Sequence, residues 1–133
     1  MTGSSEAEGA QRALVLVVED DTLIRRLIGI QLSGLPVDVV EAASGAAALA
    51  ACARRVPALA LVDMGLPDID GAELCAEIRR RYPGTPVCIV SGASGASDRR
   101  LAADAGCAAY LIKPFAAKEL QSLVTRLLAS SAS

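Results

Sequence analysis

Short apolar runs alternate along the chain with longer stretches in which apolar residues recur at helical spacing. Ala13 to Val18 is apolar throughout and rich in β-branched residues, the pattern of a strand buried on both faces. It stops at Glu19-Asp20-Asp21. Thr22 is placed to cap a helix carrying Leu23, Ile24, Leu27, Ile28 and Leu32 at helical spacing, and Gly34 and Pro36 end it. Asp21 is open to two readings, a helix cap or a member of the acidic group. Val37 to Glu41 reads as a second strand. Ser44 starts an Ala-rich helix through about Ala53, closed by Arg54, Arg55 and Pro57. Ala58 to Val62 is a third strand that ends on Asp63. A turn at Pro67 and Asp70-Gly71 leads to a helix from Ala72 to Arg81, ended by Tyr82-Pro83-Gly84. Pro86 to Val90 is a fourth strand and Ser91 to Gly95 a loose loop. Asp98 to Ala105 is a short helix stopped by Gly106, and Ala109 to Ile112 a fifth strand. A last helix is expected from about Ala116 to Leu128, its Leu120, Leu123, Val124, Leu127 and Leu128 forming an apolar stripe.

Five apolar strands alternating with five helices predict a doubly wound α/β fold, a parallel sheet covered on both faces. The flavodoxin-like version of this architecture has strand order 2-1-3-4-5 and binds ligands beyond the carboxyl ends of the strands. The length suits one domain, 13–129, between a flexible N-terminal tail, 1–12, and a C-terminal tail, 130–133.

Composition narrows the function further. Aromatic residues make up only 2% of the chain, which argues against stacking on nucleobases, and a formal charge of −2 gives no footprint for nucleic acid or an anionic membrane. Arg79, Arg80 and Arg81 read as a solvated helix end. No histidine is present, so triads and Cys/His zinc sites lack a required part. Cys52, Cys75, Cys88 and Cys107 form no CxxC pair and read as reduced, mostly buried thiols. The N-terminus has no apolar core of a signal peptide and no run is long enough to span a bilayer, so a cytoplasmic location with no membrane contact is expected.

Chemistry-bearing residues fall at the strand ends: Glu19 and Asp20 after the first, Asp63 after the third, Ser91 after the fourth and Lys113 after the fifth. Carboxylates brought that close repel one another unless a cation neutralises them. A few carboxylate oxygens with waters suit Mg²⁺, with Mn²⁺ as substitute, whereas Ca²⁺ would want a longer oxygen-rich loop. Asp63 at the centre can attack phosphorus to give an acyl phosphate. Lys113 can pair with a carboxylate at rest and with a phosphoryl oxygen afterwards, and Ser91 can donate its hydroxyl to another. Gly92 leaves room for the phosphoryl group. Pro114 keeps Lys113 extended, and a cis bond is expected between them.

The motifs VVEDD, ALALVDMGLPDIDG, IVSGASG and AGCAAYLIKPF, in this order over roughly Leu14 to Leu128, resemble the receiver domain of two-component response regulators. The resemblance implies that Asp63 is the phosphorylation site, that Asp20 ligates the metal directly and Glu19 through water, and that the Gly65 carbonyl is a further ligand. It also implies that Ser91 and Tyr110 form a switch pair that reshapes the face made by the fourth helix, fifth strand and fifth helix. The implied partners are a sensor histidine kinase or histidine phosphotransfer protein as donor and a downstream protein target, with a phosphorylation-dependent homodimer as a further outcome. The family usually carries a longer side chain where Gly65 stands, so an acyl phosphate here is expected to be more open to water.

Two other readings compete. A haloacid-dehalogenase-like phosphatase would use an Asp nucleophile and Mg²⁺ but needs a second Asp two residues on, where this chain has Gly65. A docking module that is never phosphorylated would not need all of these residues together. Catalysis on an external substrate is therefore not expected.

Overall fold

The structure, a computed structural model, describes residues 12–92 and 96–132. Residues 1–11 of the expected tail and 93–95 of the expected loop lie outside the described residues. The elements are β1 (Ala13–Val18), α1 (Thr22–Leu32), β2 (Val37–Ala42), α2 (Gly45–Arg54), β3 (Leu59–Asp63), α3 (Gly71–Arg81), β4 (Val87–Ser91), α4 (Ala96–Asp104), β5 (Ala109–Ile112) and α5 (Ala117–Ala132). All strand pairs are parallel, as the alternation predicted, and the order is β2-β1-β3-β4-β5, as expected of the flavodoxin-like version.

The period of two along each strand divides the core. Val15 and Val17 of β1, Leu59 and Leu61 of β3, and Cys88 and Val90 of β4 pack with Ile28 and Leu32 of α1 and Leu120, Val124 and Leu127 of α5. Leu16 and Val18, Ala60 and Val62, and Val87 and Ile89 face the other way, onto α2, α3 and α4. Small residues on that second side, Ala48, Ala51, Cys52, Cys75 and Ala102, are all buried and fill the space that aromatic rings would otherwise take. Each large aliphatic side chain so buried contributes roughly 1.5–3 kcal/mol.

Several expectations are corrected. The cap of α1 is Asp21, not Thr22: its carboxylate accepts from the Leu23 and Ile24 amides at 2.9 and 3.1 Å, and Thr22 is already helical. Of the α1 stripe only Ile28 and Leu32 are buried; Leu23 and Leu27 are 81% and 51% exposed, because the helix meets the sheet along a narrower strip than its apolar face. β2 continues to Ala42, whose carbonyl accepts from the Glu19 amide at 3.0 Å. α4 begins at Ala96, ahead of Asp98. α5 runs to Ala132, into the segment expected as tail, since no Gly or Pro interrupts it. Arg12 is likewise held, its guanidinium donating to the Val37 carbonyl at 2.8 Å and pairing with Asp38. Arg79 is more than a solvated end, for it donates to the Pro83 and Thr85 carbonyls; Arg80 and Arg81 pair with Glu77.

Other expectations stand. Gly106 ends α4 with φ 88°, and the Cys107 and Gly106 amides close back on the Ala102 and Ala103 carbonyls, a double return that a Cβ at this φ would strain. Lys113-Pro114 is cis. The four thiols are free, and burial pushes Cys75 up to about 11 and Cys88 up to about 12. No helix among the described residues is long and apolar enough to cross a membrane.

Candidate phosphoacceptor and metal site

The register of the sheet assembles the site. Val18 lies beside Val62, so Glu19 and Asp63 stand at the same level on neighbouring strands. Ser91 pairs with Ile112, and its carbonyl accepts from the Lys113 amide at 2.8 Å, which brings the lysine to the same edge. Asp63 itself is the last ladder residue of β3, opposite Val90.

From there the Lys113 ammonium reaches across the sheet and donates to two carboxylates, to Asp63 Oδ1 at 2.7 Å and to Glu19 Oε1 at 2.8 Å. The Lys113 side chain is only 22% exposed, and those of Asp63 and Glu19 10% and 3%, so this pairing is screened far less than a surface ion pair. The other oxygens are also engaged. Asp63 Oδ2 accepts from the Gly65 amide at 3.0 Å and Glu19 Oε2 from the Asp21 amide at 3.1 Å. Burial pushes the Glu19 carboxyl above its ordinary range, the lysine and the Asp21 amide pull it back, and the nearby Asp63 adds to the rise. Burial alone would lower Lys113, but its hydrogen bonds to Asp63 and Glu19 outweigh this and hold it above its ordinary value.

Asp20 completes the group from the exposed side. One carboxylate oxygen from each of Glu19, Asp20 and Asp63 can be chosen so that all lie within 4.8 Å of one another. Three carboxylates against one ammonium leave excess negative charge, and an all-oxygen donor set open to water on the Asp20 side fits a hard divalent cation.

The other residues singled out in the sequence lie around this group. Ser91 is buried at the adjoining strand end. Gly65 is exposed beyond Asp63, and a Cβ there would meet only Asp63 Oδ2, at an ordinary 3.7 Å. Tyr110 packs against the α2–α3–α4 side of the core, and the Arg99 guanidinium of α4 lies 5.0 Å from its ring centroid.

Four residues to which the sequence assigned no part in the site support it or its surroundings. Arg25 donates to the Glu19 carbonyl at 2.8 Å and to Glu41 at 3.1 Å, fastening the end of β1. Gly71 lies so close to the Asp63 backbone that a Cβ would collide with the Asp63 carbonyl and the Met64 Cα. Asp68 caps α2 from a distance, its two oxygens accepting from the Gly45 and Ala46 amides at 2.8 and 2.9 Å. Arg99 covers Tyr110. Only Gly71 carried a local signal, as the glycine after a helix-capping aspartate.

Known proteins of similar sequence and shape place the chain in a family. The family model for the response regulator receiver domain matches residues 15–125. The chain is 42% identical over 108 residues to the KDP operon transcriptional regulatory protein KdpE of Escherichia coli, covering 81% of this chain and 48% of that protein. It is 34% identical over 118 residues to the probable transcriptional regulator ycf27 of Porphyridium aerugineum, covering 89% and 49%. The chain thus spans about half the length of the curated relatives it matches. Among solved structures, a CheY-like response regulator receiver domain protein from Methanospirillum hungatei superposes with a TM-score of 0.87 at 28% identity, over 92% of this chain and 98% of that one.

Proposed function

Because this chain belongs to the response regulator receiver domain family, generally non-enzymatic modules of two-component signalling, we propose that it accepts a phosphoryl group on Asp63 from the phosphohistidine of a partner kinase or phosphotransfer protein. The observation that carries this reading is the half-buried Lys113 ammonium shared between the buried Asp63 and Glu19, with the Asp20 carboxylate beside them. A carboxylate serving only as a turn or cap has no need of such neighbours.

An Asp63 carboxylate oxygen attacks phosphorus, an O–P bond forms, and the N–P bond breaks with its electron pair returning to the donor imidazole. Lys113 can exchange one carboxylate for a phosphoryl oxygen, a charge-assisted bond worth about 1.5–3 kcal/mol. The Ser91 hydroxyl and the Gly65 amide supply further donors. Glu19, Asp20, Asp63 and the Gly65 carbonyl would hold Mg²⁺, or Mn²⁺ in its stead, which when bound offsets the negative charge gathered at the phosphoryl group.

The donor partner needs a surface beside the acceptor. Lys113, Pro114 and Phe115 line a hollow of about 170 Å³ with Ile24 and Leu27, and exposed Leu23 and Ile30 extend α1 outward from it. This apolar strip next to Asp63 suits a helical donor protein. Drawing Ser91 toward the phosphoryl group would free Tyr110 to turn inward and reshape α4, β5 and α5 for a downstream protein or a second copy. Moving such an equilibrium from 1:99 to 99:1 takes about 5.5 kcal/mol, within reach of two or three charge-assisted bonds and a cation. The setting is the cytoplasm, where the kinase domains that supply phosphohistidine act.

The test is intact-mass measurement after incubation with acetyl phosphate and Mg²⁺. The wild type should gain one phosphoryl mass, and Asp63→Asn or EDTA should abolish the gain. A wild type that neither gains mass nor binds beryllofluoride would reduce the chain to a docking module.

A further inference from the structure

The loop from Met64 to Asp70 leaves the acceptor and returns to it, since the Gly71 amide donates to the Met64 carbonyl at 2.9 Å and Gly71 lies against the Asp63 backbone. Near its start, Gly65 bridges to Asp70 and gives its amide to Asp63 Oδ2. Its middle is fastened elsewhere. Asp68 holds the Gly45 and Ala46 amides, and Ile69 packs so closely over Gly45 that a Cβ there would collide with its side chain. Gly45, Asp68 and Ile69 therefore form a clasp between the acceptor loop and the first turn of α2.

Helix α2 already has a cap of its own. Ser44 Oγ accepts from the Ala47 amide at 3.1 Å. Of the two amides that Asp68 takes, that of Ala46 belongs to an exposed residue, where water can serve as acceptor, and that of Gly45 to a buried one; Asp68 is itself exposed, so the carboxylate does not fill the core. What the clasp fixes is the loop. Resting on the metal and acceptor roles proposed above, we propose that Asp68 is a positioning residue for that site: by tying the loop to α2 it holds the Gly65 peptide with its amide on Asp63 and its carbonyl ready for the divalent cation. A partner that orients a metal ligand from outside the coordination sphere is worth roughly tenfold or more in affinity.

The experiment is a calorimetric Mg²⁺ titration of the full chain and three variants, at a temperature where circular dichroism shows each one folded. Asp68→Ala should weaken Mg²⁺ binding roughly tenfold. Asp68→Asn, whose single amide oxygen can still accept one of the two bonds, should fall between it and wild type. Ser44→Ala, which removes the local cap of the same helix and leaves the loop alone, should bind as wild type does. The Gly65 amide resonance should move in Asp68→Ala without metal and stay put in Ser44→Ala. Wild-type affinity in Asp68→Ala overturns the inference, and so does equal weakening in both cap variants, which would point to general loosening of α2. A wild type that binds no Mg²⁺ removes the metal site as well, and with it the reading on which this rests.

Discussion

Two loops lead away from the carboxylates, and they are held in opposite ways. The β1–α1 turn is three residues long, and most of its bonds are local: Asp21 caps the helix that follows it, its amide meets Glu19, and Arg25 reaches back to the Glu19 carbonyl. The β3–α3 loop is seven residues long and takes its anchor from a helix more than twenty residues earlier in the chain. The first is held at both of its ends by neighbours as well as by its shortness, since the Glu19 amide meets Ala42 and Arg25 meets Glu41; the second has its middle fixed, among the described residues, only through α2.

The largest break in this arrangement should come from the residue that ties both loops together. Lys113→Ala leaves Glu19 and Asp63 buried and facing each other, and should cost stability near the low end of the roughly 3–5 kcal/mol typical of an orphaned buried charge, because the lysine is partly exposed. Urea unfolding without metal measures it, and millimolar Mg²⁺ should recover part of the loss. Gly71→Ala acts on the longer loop alone. Its methyl has only backbone to push against, so a loss of about 1–3 kcal/mol is expected in the same assay, with weaker beryllofluoride binding. Asp21→Ala acts on the shorter turn and should cost about 1 kcal/mol, the usual value of an N-cap, with little change in phosphate acceptance.

The smallest effect separates the loops by pH. Hydrogen bonds from the Gly45 and Ala46 amides hold the Asp68 carboxyl below its ordinary 3.8. A depressed folded-state value means the unfolded chain takes up the proton first as pH falls, so the contribution is full above 3.8 and fades below it. Denaturation of wild type against Asp68→Asn from pH 7 to pH 3 should show a difference that is constant down to about that value and then shrinks. A constant difference throughout would mean that the two amides do not favour the charged form.

The same contrast separates what was readable in the sequence from what was not. The strands follow from periodicity, and their order and the convergence of Glu19, Asp20, Asp63 and Lys113 follow once the alternation is taken as a flavodoxin-like sheet with its polar residues at the carboxyl ends of the strands. Ser44 as a cap and Gly106 as a stop are likewise local. Asp68 was passed over because a carboxylate in a turn gives no sign of which distant amides it will meet. Arg25 and Arg99 look like ordinary surface charges until α1 and α4 are laid on the sheet. Leu23 and Leu27 misled in the other direction, since periodicity shows that a helix has an apolar face but not how much of that face the sheet covers.

The parallel sheet also has two poles, and the chain uses them unequally. Arg12 is tied to the amino end of β2 through Val37, and Ser130 near the end of α5 shares a hollow with Gly84, Pro86 and Ala108 at the amino ends of β4 and β5. Both limits of the described polypeptide thus lie at the pole away from Asp63. The pole that carries Asp63 is therefore built wholly from strand ends and loops interior to the described polypeptide, and neither of its limits contributes to it.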